Sequence, residues 1–165
     1  MSQAKLTGAS LVEASCIRSR LRLVSLFESN LQKANLYGAD LTRADLQMAD
    51  MSGADLRSAN LDSAHLQRAI LRDSRLDNTT LTNANLEKAD LQNASLEEAN
   101  LQNANLQRAN LQCANFTKAN LSGANLKGAT VNNARFPNAI LVGAIWIDGS
   151  KIRDKAGQVA LGIQT

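Results

Sequence analysis

Ala84-Asn85-Leu86-Glu87-Lys88-Ala89-Asp90-Leu91-Gln92-Asn93-Ala94-Ser95-Leu96 repeats one five-residue phrase, and that phrase decides the fold. The unit is Ala, then Asn or Asp, then Leu, then two mostly polar residues. Traced outward in both directions, it runs from Ala4 to Trp146 without an insertion or deletion. Of its 29 central positions 23 are Leu, and the others are Cys16, Met51, Phe116, Val131, Phe136 and Trp146. Two residues before each centre, 24 of 29 positions are Ala; Ser19, Val24, Ser29, Ser74 and Thr79 depart. A repeat this regular fixes the architecture before any other feature is weighed.

A period of five suits neither regular amphipathic structure. On an α-helix each step of five advances about 140°, which smears the Leu set around the axis. On a continuous strand the side-chain period is two, so an odd repeat throws successive Leu residues to opposite faces. Leu stays inside only if the backbone turns once per repeat in the same sense. The result is a coiled solenoid whose sides are five residues long. Asn and Asp fit such turns, because their side chains bond nearby backbone and tolerate unusual dihedrals. Ala beside each Leu leaves room for the backbone to close around a narrow interior.

The runs Ala34-Asn35-Leu36, Ala44-Asp45-Leu46, Ala104-Asn105-Leu106 and Ala124-Asn125-Leu126 resemble the pentapeptide-repeat family. The resemblance implies an all-β fold: a right-handed, four-sided parallel β-helix with about 20 residues per coil. Phe116 and Phe136, one such coil apart, are then predicted to stack. About seven coils at roughly 4.8 Å make a rod on the order of 34 Å long. The expected organisation is the β-helix over 1–150 and a C-terminal amphipathic cap over 151–165. The family is common in cyanobacteria, and some members resemble DNA and inhibit or protect DNA gyrase. Such mimicry needs phosphate-like rows of negative charge. Asp40, Asp45, Asp50 and Asp55 instead fall on four successive sides, making a belt around the rod, and the chain carries a formal net charge of +3.

Low aromatic content, 3%, means the core must be built from many Leu and Ala side chains. The charge is modest and does not by itself argue for nucleic acid. No apolar run approaches transmembrane length and no signal-peptide h-region opens the sequence, so a cytoplasmic location without membrane attachment is expected. Cys16 occupies an inward position and Cys113 an outward one. Their separation, nearly five coils or roughly 23 Å, excludes an intramolecular disulfide.

The pattern breaks in three places. Between Cys16 and Ser29 the small inward residue becomes Ser19, Val24 and Ser29, while outward positions carry Ile17, Leu23 and Phe27; Tyr37 falls one coil after Ile17. Two readings compete: an end coil adapted to close the solenoid, or an apolar surface for a partner. A homodimer through this end is one form of the second, because an uncovered strand edge invites pairing and no long segment precedes it here. Between Ile70 and Thr80, Ser74 and Thr79 place hydroxyls inside, where nearby backbone must accept them. After Trp146, a turn at Ile147-Asp148-Gly149-Ser150 leads to Ile152, Ala156, Val159 and Ile163 at helical spacing. A short helix with Ser150 as its N-cap is predicted to cover the last coil, with Trp146 as a plug.

No catalytic chemistry is legible. His65 stands alone at an outward position, no ligand spacing suggests a metal, and no phosphate loop or nucleophile elbow appears. No enzyme activity and no cofactor are expected. The Thr residues do not align at coil spacing, which removes an ice-binding ladder. Arg68, Lys88 and Arg108 lie 20 apart and are predicted to stack as a basic stripe after Met48, with Glu87 on the same side. The stripe is either a solvated face or a site for an acidic partner. It is short, and no aromatic residues interleave it as single-stranded nucleic acid would require. The reading is a non-catalytic solenoid acting as a structural or protein-interaction module with a partner still to be identified. Its candidate surface is Ile17, Leu23, Phe27, Tyr37, Arg68, Lys88 and Arg108. The alternative is a DNA-mimicking modulator of gyrase or topoisomerase.

Overall fold

The structure, a computed structural model, describes residues 4–154. Parallel bridges join each Asn/Asp-position residue to the one 20 later, from Lys5↔Ser25 through Asn85↔Asn105 to Asn125↔Ile145. Four repeats therefore complete one coil, and each side contributes one bridging residue per coil. Between coils the amide of the central residue donates to the carbonyl 19 residues on, as Leu86 to Asn105 at 2.8 Å. The Asn/Asp-position amide returns the contact, as Asn105 to Ala84 at 2.9 Å.

Each corner is a four-residue turn closed by its own hydrogen bond, as from the Ala89 amide to the Leu86 carbonyl at 2.9 Å. The second residue after Leu takes a left-handed conformation at every corner from Gly8 to Gly143. Non-glycine residues there have φ between 51° and 60°. With positive φ at the third turn residue only, this is the type II pattern. The expectation for Asn and Asp is thus corrected in part. They do bond nearby backbone: the Asn85 Oδ1 accepts the Glu87 amide at 3.1 Å, and the same bond recurs around the rod. The unusual dihedral, however, falls three residues later.

The interior holds nothing but repeat side chains. Leu26 through Leu126 and the Ala residues flanking them are buried almost without exception. Phe116 and Phe136 stack with ring centroids 5.0 Å apart, and Trp146 meets Phe136 edge-on at 5.7 Å. The inward hydroxyls are satisfied: Ser74 Oγ donates to the Leu71 carbonyl at 2.6 Å and Thr79 Oγ1 to the Leu56 carbonyl at 2.9 Å.

The described start of the expected C-terminal cap, 151–154, is not helical. Ser150 does not cap a helix; its amide donates to Asp148 Oδ1 at 2.8 Å, holding a tight turn that sends the chain back. Lys151 then pairs antiparallel with Ile145, and Ile152 exchanges backbone hydrogen bonds with Gly143 and Ala144 on the last coil. Ile152 is buried, so part of the covering role falls to a returning strand. The rest of the expected helix lies outside the described residues.

Candidate interaction surface

The 20-residue register converts sequence into columns, and the columns decide which candidate residues meet. Ile17, Tyr37 and Arg57 share one corner. The Arg57 guanidinium sits 5.6 Å from the Tyr37 ring centroid, while its Nε and Nη2 grip Asp55 at 2.8 and 2.5 Å. That grip holds the Asp55 carboxyl below its ordinary pKa. Ile17 remains 50% exposed above this cluster.

Leu23 stands on a different corner, at the edge of a shallow groove of about 710 Å³ that also includes Lys5, Ser25, Arg43, Asp45, Ser63 and His65. Ser25, Asp45 and His65 are stacked in one column there. The order is wrong for nucleophilic catalysis, because the carboxylate stands between hydroxyl and imidazole rather than behind the imidazole. Asp45 Oδ1 instead accepts the backbone and side-chain N–H groups of Gln47. Among the described residues, no cluster of three His, Cys, Asp or Glu is placed to hold a metal ion.

Phe27 is separate from both Ile17 and Leu23, so the N-terminal apolar residues form no continuous patch. It lies instead on the corner that carries the basic stripe. One hydrogen-bond ladder runs along that corner: Glu28 to Gln47, Met48 to Gln67, Arg68 to Glu87, Lys88 to Gln107 and Arg108 to Lys127, all between 2.9 and 3.1 Å. The corner therefore reads Phe27, Met48, Arg68, Lys88, Arg108, Lys127 in successive coils. Phe27 and Lys127 belong to it as well as Met48, although charge at 20-residue spacing picks out only the three central cations. The same spacing applied to the whole corner, rather than to charge alone, is the signal that finds them.

The two ends differ in exposure. Leu6, Leu11, Cys16 and Leu21 point inward yet are only half-buried, because no coil precedes them among the described residues. Cys16 is thus less enclosed than its inward phase predicts, whereas Cys113 is exposed as expected; both are free thiols. On this first coil the Lys5, Ser10, Ser15 and Arg20 amides make no coil-to-coil bond among the described residues.

The pentapeptide-repeat pattern matches residues 19–57, 59–97, 89–128 and 119–145 in eight copies. The chain belongs to the pentapeptide-repeat family. Proteins of this family form right-handed quadrilateral β-helices. Among solved structures, this pentapeptide-repeat chain is similar to HetL, a protein involved in heterocyst differentiation regulation from the cyanobacterium Nostoc sp. strain PCC 7120. The identity is 33% over 91% of this chain and 77% of HetL, with a TM-score of 0.61. QnrB1, a plasmid-mediated fluoroquinolone resistance protein, shares the fold at 17% identity over 96% of this chain and 95% of its own, with a TM-score of 0.62. Among curated proteins none matches the sequence. No catalytic family is found, and no helix among the described residues is long and apolar enough to cross a membrane.

Proposed function

We propose that this pentapeptide-repeat rod is a non-catalytic protein-interaction module of the cytoplasm. One observation carries the reading: the coil register holds exposed side chains in straight columns about 4.8 Å apart on a scaffold whose interior is filled. Such a surface presents groups at fixed spacing and lacks an arrangement that activates one of them. Cross-linking of the purified rod in extract of its source cells, followed by mass spectrometry, tests this. Recovery of a specific protein set supports the module. Recovery of nothing above a charge-matched control overturns it.

The competing reading is a DNA-mimicking topoisomerase modulator. Likeness of fold to QnrB1 favours it, and the charge distribution opposes it. The Asp40, Asp45, Asp50 and Asp55 carboxylates occupy four different sides, and each accepts hydrogen bonds from its own turn. A gyrase supercoiling assay separates the readings: inhibition or protection by micromolar protein would replace the module with the modulator.

Self-association is assigned to the N-terminal end, where the Lys5, Ser10, Ser15 and Arg20 amides make no coil-to-coil bond among the described residues and Leu6, Leu11, Cys16 and Leu21 are half-exposed. Four cations, Lys5, Arg18, Arg20 and Arg22, face one acid, Glu13, in this coil. Two such ends repel, so the dimer is expected to strengthen as salt rises. Light scattering should show a salt-promoted dimer that Leu11→Asp abolishes and Val142→Asp, near the other end, leaves intact. A monomer at every concentration and salt overturns the assignment.

A further inference from the structure

Four cations elsewhere on the rod pair with a carboxylate on an adjacent coil. Arg22 pairs with Asp40 at 3.6 Å, Lys33 with Glu13 at 3.6 Å, Arg72 with Asp90, and Lys118 with Glu98 at 2.8 Å. One corner differs from the rest in how its cations are stacked. Arg68, Lys88 and Arg108 succeed one another on three successive coils, and no other column of the chain stacks three cations. Lys88 has only the adjacent Glu87 at 3.4 Å, and Arg68 and Arg108 form no ion pair among the described residues. Gly128 follows Arg108 in that column, with Lys127 beside it on the same corner. On the other side of Arg68 the column continues to Met48, 44% exposed, and then to exposed Glu28, with half-buried Phe27 beside Glu28 on the same corner. Like charges in close register repel, so the arrangement gains stability only when an opposite charge lies along it.

Resting on the interaction-module reading, we propose that this corner docks an amphipathic acidic α-helix of a partner protein, lying parallel to the rod axis. The spacing selects the helix. Coils repeat at about 4.8 Å, so the three cations stand at roughly 0, 4.8 and 9.6 Å. Helical carboxylates at i, i+3 and i+7 rise about 0, 4.5 and 10.5 Å, within side-chain reach of all three. An extended peptide presents same-face residues about 6.6–6.8 Å apart and falls out of step after two. Glu87, beside Lys88, opposes any anion alike, but a nucleic-acid backbone would leave Phe27 and Met48 unused. An apolar turn preceding the carboxylates fits those two residues. Glu28, beside Phe27, repels a carboxylate at that end and so fixes the direction in which the helix lies. Phe27 to Arg108 spans four coils, about 19 Å, or roughly 13 helical residues.

The probe is a fluorescent Ala-based 20-residue helical peptide with Leu in its first turns and Glu at i, i+3 and i+7 on the same face. Its comparators are a scrambled peptide of equal composition and a 20-nucleotide oligothymidine. Binding is read by anisotropy. The helix should bind at least tenfold tighter than either comparator, and its affinity should fall as sodium chloride rises. The triple variant Arg68→Asn, Lys88→Asn, Arg108→Asn should lose at least tenfold. Asn is suited to these left-handed positions and already occupies equivalent ones at Asn83, Asn93 and Asn103, so the variant keeps the turn geometry. Met48→Asn should lose several-fold, while Arg72→Asn on the neighbouring corner should change nothing. Equal binding of the scrambled peptide, tighter binding of the oligonucleotide, or full affinity in the folded triple variant each overturns the proposal. The cross-linking experiment repeated with the triple variant separates this proposal from the broader one. If native and variant rods capture the same proteins, the module stands and this corner is not its docking site; if neither captures any, both readings fall.

Discussion

At the N-terminal end of the rod Leu6, Leu11, Cys16 and Leu21 are half-exposed, whereas at the other end Phe136, Leu141 and Trp146 are buried. The motif is the same at both ends. The difference lies in the covering that the C-terminal end receives. After Trp146 the chain turns at Asp148-Gly149, returns antiparallel, and places Ile152 against the last coil. Gly149, with φ of 90°, permits that reversal. An inward-pointing residue is therefore buried only when a coil or a cap lies on each side of it. Repeat phase sets direction, and stacking sets burial.

Core truncation breaks this comparison most strongly. Leu96 is fully buried between two regular coils, so Leu96→Ala should cost about 2–5 kcal/mol. Leu11→Ala removes the same atoms from the half-exposed end and should cost about 1 kcal/mol. Gln92→Ala, outward on a mid-rod corner, should cost less than about 0.5 kcal/mol. Urea midpoints of the three variants check the order. Equal losses for Leu96 and Leu11 would show that the first coil is covered by something other than the described residues.

Next in size is the returning strand. Ile152→Ala deletes buried apolar atoms at the C-terminal end and should cost about 2 kcal/mol, at roughly 0.8 per buried methylene. Trp146 is the only tryptophan and sits 7% exposed beneath this strand, so its emission should shift to the red in the variant. An unchanged emission maximum would remove Ile152 from the cap.

The same distinction between direction and burial governs how much is legible in the sequence. The spacing of Leu and Ala determines which residues point inward along the whole rod, and Phe116 over Phe136 comes from adding 20. The turn position is less accessible. The second residue after Leu varies freely among Arg, Lys, Asn, Glu and Gly, because 22 non-glycine residues adopt the left-handed conformation there. The compositional signs are that Gly8, Gly38, Gly53, Gly123, Gly128 and Gly143, and also six Asn residues from Asn78 to Asn138, share that position. The return of Ile152 onto the last coil escapes the sequence pattern because the Asp148 side chain and Gly149 decide locally for a reversal. Among candidate surface residues, charge singles out Arg68, Lys88 and Arg108, and the five-residue phase already sets Phe27 two sides away from Ile17. The register moves Phe27 to the basic corner.

The two thiols sharpen the comparison on a smaller scale. Cys113 is exposed on a mid-rod corner, and Cys16 lies inward on the uncovered first coil. A maleimide reagent should label Cys113 fastest and Cys16 more slowly, yet under native conditions. Labelling of Cys16 only after unfolding would mean that the N-terminal end is as closed as the other. If high salt selectively protects Cys16, the self-association assigned to that end gains independent support.

The smallest effect expected is an acid sensitivity peculiar to the C-terminal end. The hydroxyl and amide of Ser150 stabilise the Asp148 carboxylate and lower its pKa below the ordinary value. In the unfolded chain the carboxyl titrates near 3.9. A folded pKa below the unfolded one contributes stability above the unfolded value, and that contribution disappears as pH falls through the folded value. Asp148→Ala should therefore lower the thermal midpoint slightly at pH 7, and variant and native curves should converge as pH falls through the lowered folded value. Because Asp148 is exposed, the difference at neutral pH is small. Monitored through Trp146 emission, the loss should register at the capped end before far-ultraviolet circular dichroism reports the rod. A difference that persists unchanged into strong acid would mean that the turn is held by Gly149 and the returning strand alone, with the carboxylate playing no part in closing this end.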